Sequence, residues 1–436
     1  MEQKYLDGVR SLLSYISASP TQFHAIDSSE EQLLSEGFSE LSLSEPLSIV
    51  PGGKYYVTKN RSSILAFRVP SEPIRGCMIS AAHTDSPTFR LKPDFEQKSG
   101  GYLRISTERY GGMILSSWLD RPLSVAGRVV VRDGDGFSTR TVSIDRDLLI
   151  IPNVAIHFNR KINDGYVYNP ASDMLPLAGV AGDAGMLRRE LASALNVSEE
   201  SMLSADLSLY DRTGGTVLGL DNEFFSSPRI DNLECSYATL RGFLEAEPAD
   251  GILTVYASFD NEEVGSMTKQ GADSPILFDL LSRISVALGR ELSELLPSTF
   301  LVSADNAHAI HPNHPELSDA AHAPVMNGGV VIKHNCTQRY TTDAVSDALF
   351  GAICERAGVP TQHFANRSDM PGGGTLGSIA NSHLPVNSVD IGLAQLAMHS
   401  AYETAGVLDL DYMITAMKCF FSSGIIASRD GAWTLV

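Results

Sequence analysis

The chain has 436 residues, 43% of them hydrophobic and 19% charged, with a net charge of −19. That length exceeds what one compact core usually takes, so two domains are expected. The acidic balance speaks against nucleic acid and anionic membrane surfaces as partners, because both demand a basic footprint.

From the N-terminus, residues 1–19 read as an amphipathic helix stopped by Pro20, and residues 28–37 as a second, short helix. The stretch from Met1 to Tyr15 mixes charged and apolar residues and lacks the long apolar core of a secretory signal. "KYYVTKNRSSILAFRVP" has two apolar-alternating runs about Asn60-Arg61-Ser62, the pattern of a hairpin. Residues 77–82 come next as a buried strand that runs into His83-Thr84-Asp85.

The texture changes at residue 94. Short β-like runs, such as 128–132 and 147–151, alternate with Gly- and Asp-rich turns, and one helix is expected near 185–195. From residue 227, helices at 232–246, 275–288, 343–357 and 411–423 alternate with strands at 252–259, 299–304 and 386–391. Such alternation predicts a largely parallel sheet covered by helices. The expected organisation is therefore an α/β body of residues 1–93 and 227–436, interrupted by a β-rich insert over 94–226. No apolar run reaches the ~18 residues of a membrane helix. Cys77, Cys235, Cys336, Cys354 and Cys419 are odd in number and form no CxxC pair. They suit neither a disulfide framework nor a thiolate zinc site, and point to a reducing, cytoplasmic home.

Polar residues gather at the expected element ends. His83 and Asp85 come after one strand, and Asp260, Glu262 and Glu263 after another, in "YASFDNEEVGS". Asp305 comes after a third, in "LVSADNAHAIHP", and His399 lies beyond a fourth, in "VDIGLAQLAMHS". Asp231 stands at a helix start in "SSPRIDNLECS". In a doubly wound sheet these ends open on one crevice. Any one of these carboxylates taken alone is more often a helix N-cap. Together, two histidines with several carboxylates suit zinc, manganese or cobalt. A spare glutamate beside a ligand glutamate would serve as base for a water that the metal activates. Adjacent side chains on extended backbone point to opposite sides, so the two glutamates could hold these separate posts.

The segments "AAHTDSPTFRLKP", "RIDNLECSYATL", "SFDNEEVGS", "SADNAHAIHPN", "QRYTTD", "DMPGGGTLGSI" and "QLAMHSAYETAG" resemble the aspartyl aminopeptidase family of co-catalytic zinc exopeptidases, and the resemblance runs over nearly the whole chain. It implies a zinc-exopeptidase-like α/β/α catalytic domain with an inserted β-rich dimerisation domain. It also implies two divalent ions per subunit, Zn2+ first, with Co2+ or Mn2+ as alternatives. His83 and Asp305 would hold one ion, Glu263 and His399 the other, and Asp231 would bridge them. Glu262 would be the general base and Asp85 would orient His83. Lys333, an ordinary surface lysine on its local pattern, would face an acidic substrate side chain. Gln338, Arg339 and Tyr340 would lie beside the substrate. His157, on its own pattern a buried or strand-face histidine, would reach into a partner subunit's site. Residues 371–375, "PGGGT", lack the Lys-Ser/Thr of a Walker loop and read as a tight backbone approach near the metals. Asp369 before them would be structural or would orient a ligand. The implied activity is removal of N-terminal residues, acidic ones above all, from peptides by a subunit that forms dimers and tetrahedral dodecamers. The alternatives are a carboxypeptidase or deacylase using Arg339 for a terminal carboxylate, and a scaffold with a structural metal, which would have no use for a base.

Overall fold

The computed structural model describes residues 1–182, 185–370 and 372–436. Strands Gly76–His83, Ile252–Phe259 and Thr299–Ala304 are apolar runs buried at every residue, as strands covered on both faces must be. They form the centre of a nine-stranded sheet. Its order is Ser39–Glu40, Lys54–Lys59, Ser63–Arg68, Ile252–Phe259, Gly76–His83, Thr299–Ala304, Asn387–Gly392, Val330–His334 and Thr361–Ala365. Neighbours are parallel from Ile252–Phe259 across to Asn387–Gly392. Antiparallel pairs occur on both sides of that centre. In register, Phe259 pairs with His83 and Ser303 with Asp390. The loops at the C-terminal ends of these parallel strands therefore leave the sheet along one edge.

Helices cover both faces. One core gathers Leu12, Phe243, Phe350 and Phe420, and the other Leu280, Ile284 and Leu376. The hairpin turns at Asn60 and Arg61, both at positive φ, a twist that suits a tight hairpin. Arg61 then ties the turn to the second helix through Glu30 at 2.6 Å and Asp27 at 3.1 Å. That helix, Gln22–Ser35, starts earlier than residue 28 because Phe23 and Ile26 bury a further turn. The last helix, Val407–Phe421, likewise begins before residue 411, with Val407 and Leu410 buried.

A second, antiparallel sheet of six strands has its own core around Phe89, Val125, Val129 and Leu209. Its order is Gly136–Ser143, Leu123–Asp133, Met202–Asp211, Thr88–Ser99, Tyr102–Tyr110 and Leu177–Val180. The long strand Thr88–Ser99 starts ahead of residue 94, directly after the His83-Thr84-Asp85 segment. The strand expected at 147–151 is reduced to isolated bridges, Leu123 to Leu149 and Ile150 to Leu177. Its apolar side chains Leu149 and Ile151 are buried from a loop. A five-stranded sheet that the sequence pattern does not foretell joins Thr216–Leu218, Phe224–Ser227, Glu403–Gly406, Ala394–Leu396 and Ala307–His308. Among the described residues, no helix is long and apolar enough to cross a membrane.

Helix Ile230–Glu245, which begins with Asp231 in its first turn, is pressed against Val407–Phe421 at Gly242. A Cβ there would stand 2.5 Å from Met417 Cβ and 2.9 Å from the Lys418 nitrogen. Gly242→Ala should therefore force the two helices apart and cost ~1–3 kcal/mol. The urea midpoint of unfolding measures this; an unchanged midpoint would show that the crossing is not tight.

Candidate metal centre and active site

The crevice is built from side chains at or just beyond the ends of the central strands. His83 ends its strand almost wholly buried. Its Nδ1 lies 3.0 Å from the Asp85 carbonyl oxygen and 3.3 Å from Asp85 Oδ1. This leaves Nε2 turned to the crevice, 3.4 Å from Asp305 Oδ1, 3.7 Å from Asp231 Oδ1 and 3.9 Å from Glu262 Oε2. Opposite, His399 Nε2 stands 3.4 Å from Asp231 Oδ2 and 3.5 Å from Glu263 Oε2. Two donor groups result, His83–Asp231–Asp305 and Asp231–Glu263–His399, with Asp231 in both.

The adjacent glutamates are not on extended backbone. They form a 3₁₀ turn, Glu262–Val264, entered through Asn261 at φ 64°. Three residues per turn set successive side chains roughly 120° apart, and this rotation, not strand alternation, sends Glu262 toward His83 and Glu263 toward His399. Asp85 holds the turn. Its Oδ1 accepts the Glu262 N–H and its Oδ2 the Glu263 N–H, each at 3.1 Å. Tyr110, from the six-stranded sheet, donates to Asp85 Oδ2 at 2.7 Å and accepts from Asn261 Nδ2 at 2.8 Å. Asp260 turns away and accepts the amide of Asn261.

Glu403, which lies within the segment "QLAMHSAYETAG" but is given no role by the sequence reading, does for the other side what Asp85 does here. Its Oε2 accepts the Asp231 N–H at 3.0 Å and its Oε1 the His399 N–H at 2.8 Å. Its place four residues after His399 was the available signal. Asp390, also buried, accepts from Thr375 Oγ1 and from the Thr341 N–H, each at 2.6 Å.

So many buried carboxylates raise one another's proton affinity. Burial pushes Glu262 up to about 8, with Asp305, Asp85 and Asp231 adding to it against the pull of His83. Burial and then Asp231 hold Glu263 well above its usual range. Burial would lower the His83 imidazole, but its bonds to Asp305 and Asp85 raise it. Asp305 stays low in spite of its burial because Lys333 lies beside it.

The donor set fits divalent zinc. Among the described residues, Asp231 Oδ1 and Glu263 Oε1 are buried and find no hydrogen-bond partner, and such orphans signal an ion or water. Two ligands on one tetrahedral zinc at ~2.0–2.1 Å stand roughly 3.3 Å apart. The separations of 3.4 Å at His83–Asp305, 3.4 Å at His399–Asp231 and 3.5 Å at His399–Glu263 lie close to that edge.

Lys333 is no surface lysine. It is buried, with Nζ 3.3 Å from Asp305 Oδ2 and 2.8 Å from the Asn306 carbonyl oxygen. Tyr340 is buried beside it, the ammonium 5.5 Å from the ring centroid. Both line the crevice, an open cleft of about 190 Å³, together with His308, Phe364 and Met398. Gln338 and Arg339, which precede Tyr340, are exposed and are not among the residues lining the cleft. Of residues 371–375, Pro371 lies outside the described residues, and Gly373, Gly374 and Thr375 line the cleft. Asp369 is paired with Arg367 at 2.6 Å on the surface and orients no ligand. His157 is neither buried nor on a strand. It sits exposed in a turn beside the exposed Val154, Ile156 and Phe158 and is not among the residues lining the cleft.

Comparison with known proteins agrees with this geometry. The family described as aminopeptidase I zinc metalloprotease (M18) matches residues 15–421. The probable M18 family aminopeptidase 2 of Clostridium novyi (strain NT) is 44% identical over 424 residues, 94% of this chain and 98% of that protein. A cryo-EM structure of the Ape4 and Nbr1 complex superposes with a TM-score of 0.92 at 35% identity, over 96% of this chain and 86% of that one. The S. cerevesiae mApe1 dodecamer superposes with a TM-score of 0.84 at 26% identity, over 96% and 97%. The chain belongs to the M18 family of aminopeptidase I zinc metalloproteases and is a zinc-dependent aminopeptidase.

Proposed function

We propose that the crevice holds two divalent ions and removes acidic N-terminal residues from peptides. The observation that carries the two-ion reading is Asp231, whose two oxygens face two different histidines at 3.7 and 3.4 Å. His83 and Asp305 would hold one ion and His399 and Glu263 the other, with Asp231 common to both donor groups. Two such ions, zinc in the first place, supply an activated water and polarise the peptide carbonyl. Glu262 takes the proton of that water and passes it to the leaving amine. Glu262 belongs to neither of the two donor groups that share Asp231, which leaves its carboxylate to accept a proton and release it again. Asp85 and Glu403 position the ligands through their bonds to backbone N–H groups. The acid-lined cleft also suits the cationic α-amine of a substrate's first residue.

The roles of the two glutamates separate by mutation. Glu262→Gln should keep its metal while kcat falls ~10²–10⁴-fold, the usual scale for general acid–base help. Glu263→Gln should lose metal. Chelation should silence the wild type, and zinc, cobalt or manganese should restore it. Metal analysis beside steady-state kinetics reads all three. Metal loss in Glu262→Gln with retention in Glu263→Gln would reverse the assignment.

Specificity for acidic residues needs a local positive charge, because a net charge of −19 repels acidic peptides at long range. Lys333 supplies it. An ammonium has three donors, and Asp305 and Asn306 take two, which leaves one for a substrate carboxylate. Loss of one partner of a buried charge pair costs ~2–5 kcal/mol. Lys333→Ala should therefore weaken kcat/KM for Asp and Glu peptides by that measure and for Leu and Ala peptides by much less. A panel of aminoacyl substrates tests it. An equal loss on every substrate would limit Lys333 to supporting Asp305.

The loop of His157 exposes Val154, Ile156, Phe158 and Val167, with Phe158 at 89% of its full surface. Contiguous apolar exposure of this kind marks an interaction surface. In the proposed assembly, which the mApe1 dodecamer suggests, this loop packs on a second subunit and His157 enters that subunit's cleft to polarise the scissile carbonyl. His157→Ala should be inactive with normal metal content. Mixed with Glu262→Gln subunits it should regain activity, since a hybrid pair contains one complete site. No recovery in mixed dimers verified by native mass spectrometry would remove His157 from the neighbouring site.

A further inference from the structure

Away from the crevice, a further group of metal-type donors meets at the far edge of the nine-stranded sheet: His334, Asp347 and His363. His334 ends the strand Val330–His334, and His363 lies in its parallel neighbour Thr361–Ala365, the edge strand. The register pairs Ile332 with His363 and Lys333 with Phe364. Side chains alternate along a strand, so His334 and His363 share the face of Ile332, opposite to Lys333. On that face Ile332 packs with Phe350 and Ile353 of helix Ala344–Ala357, and Asp347 projects from the helix's first turn.

The helix does not need Asp347 as its cap. Asp343 accepts the Ser346 N–H at 2.8 Å and completes a capping box. The Asp347 carboxylate is turned instead to the imidazoles, with Oδ1 3.3 Å from His363 Nε2 and Oδ2 3.4 Å from His334 Nε2. Charge-assisted hydrogen bonds settle near ~2.7–2.9 Å, and these contacts are longer. They involve different oxygens of Asp347, so both histidines reach one ion only where the carboxylate chelates it or swings one oxygen between them. One ligand atom from each residue can be chosen so that all lie within 4.8 Å of one another. All three side chains are partly exposed, so water can complete the coordination.

We propose that His334, Asp347 and His363 form a separate binding site for a borderline transition-metal cation, zinc in the first place. Two imidazoles with one carboxylate select zinc, cobalt, nickel or copper over calcium and magnesium, which take oxygen ligands. The ion ties the edge strand and the helix start to the neighbouring strand. Those same strands carry Phe364 and Lys333 into the peptide cleft from their other face. A cation here therefore fixes one wall of the cleft without touching substrate. The site stands independently of how many ions the crevice holds.

The test uses the full-length holoenzyme dialysed against micromolar free zinc. Wild type should contain one more zinc ion per subunit than Asp347→Asn or the double variant His334→Asn/His363→Asn, by plasma mass spectrometry. Its melting temperature should rise with added zinc, and that rise should be lost in both variants. In wild-type crystals, an anomalous difference peak at the zinc edge should lie between the three side chains, a readout that requires no variant. Equal zinc content in folded wild type and variants, or no anomalous peak at that position, would overturn the proposal and leave Asp347 as a hydrogen-bond acceptor alone.

Discussion

The carboxylates crowded at one edge of the central sheet cannot be buried together unless a hydrogen-bond donor or a cation meets each of them. The chain meets this demand in different ways. Asp85 and Glu403 are served by backbone N–H groups, from Glu262 and Glu263 in one case and from Asp231 and His399 in the other. Asp305 is served by the Lys333 ammonium. Asp231 and Glu263 each keep a buried oxygen with no donor. Asp305 keeps its other oxygen, Oδ1, toward His83, so Asp231, Glu263 and Asp305 retain oxygens facing the crevice histidines while Asp85 and Glu403 are taken up by backbone. This division also sets the proton affinities apart: burial raises Glu262 and Glu263, while Asp305, beside Lys333, stays low.

The same demand accounts for the local backbone. A 3₁₀ turn at Glu262–Val264 presents two successive amides to one carboxylate, which an extended strand, with N–H groups alternating in direction, would not do. His399 adopts φ 67°, a conformation uncommon outside glycine, with its amide on Glu403 and its carbonyl accepting from Ile114 at 3.0 Å. Geometry that a free loop would avoid is held here by bonds on both sides of the peptide.

Much of this was legible in the sequence, for physical reasons that also mark its limits. The strands Ile252–Phe259 and Thr299–Ala304 are continuous apolar runs ending in acids, and their bounds coincide with the expected ones. His83, Asp231, Glu263, Asp305 and His399 were legible as metal-type side chains at the ends of elements, and the fold brings them together. What escaped depends on contacts distant in sequence. Glu403 looks like any acid near a strand. Tyr110 lies in the insert, and nothing in its neighbourhood signals a bond to Asp85. Lys333 looks solvated until the Asp305 segment closes over it. Residues 147–151 have strand composition, but burial of Leu149 and Ile151 from a loop satisfied them equally well. His157 offered no local sign that its apolar neighbours would stay outside.

The hydroxyl of Tyr110 has a consequence for how this architecture can be divided. The residue belongs to the six-stranded sheet, yet its bonds fix Asp85 and Asn261, the two supports of the glutamate turn. The chain just beyond it keeps contact, since a Cβ on Gly111 would stand 3.2 Å from Glu263 Cβ. The interruption of the α/β body is thus one wall of the reaction chamber. A trimmed chain made by splicing residue 86 to residue 227 would keep His83, Asp231, Glu263, Asp305 and His399 and still lose the hydroxyl that braces the turn beneath the two glutamates.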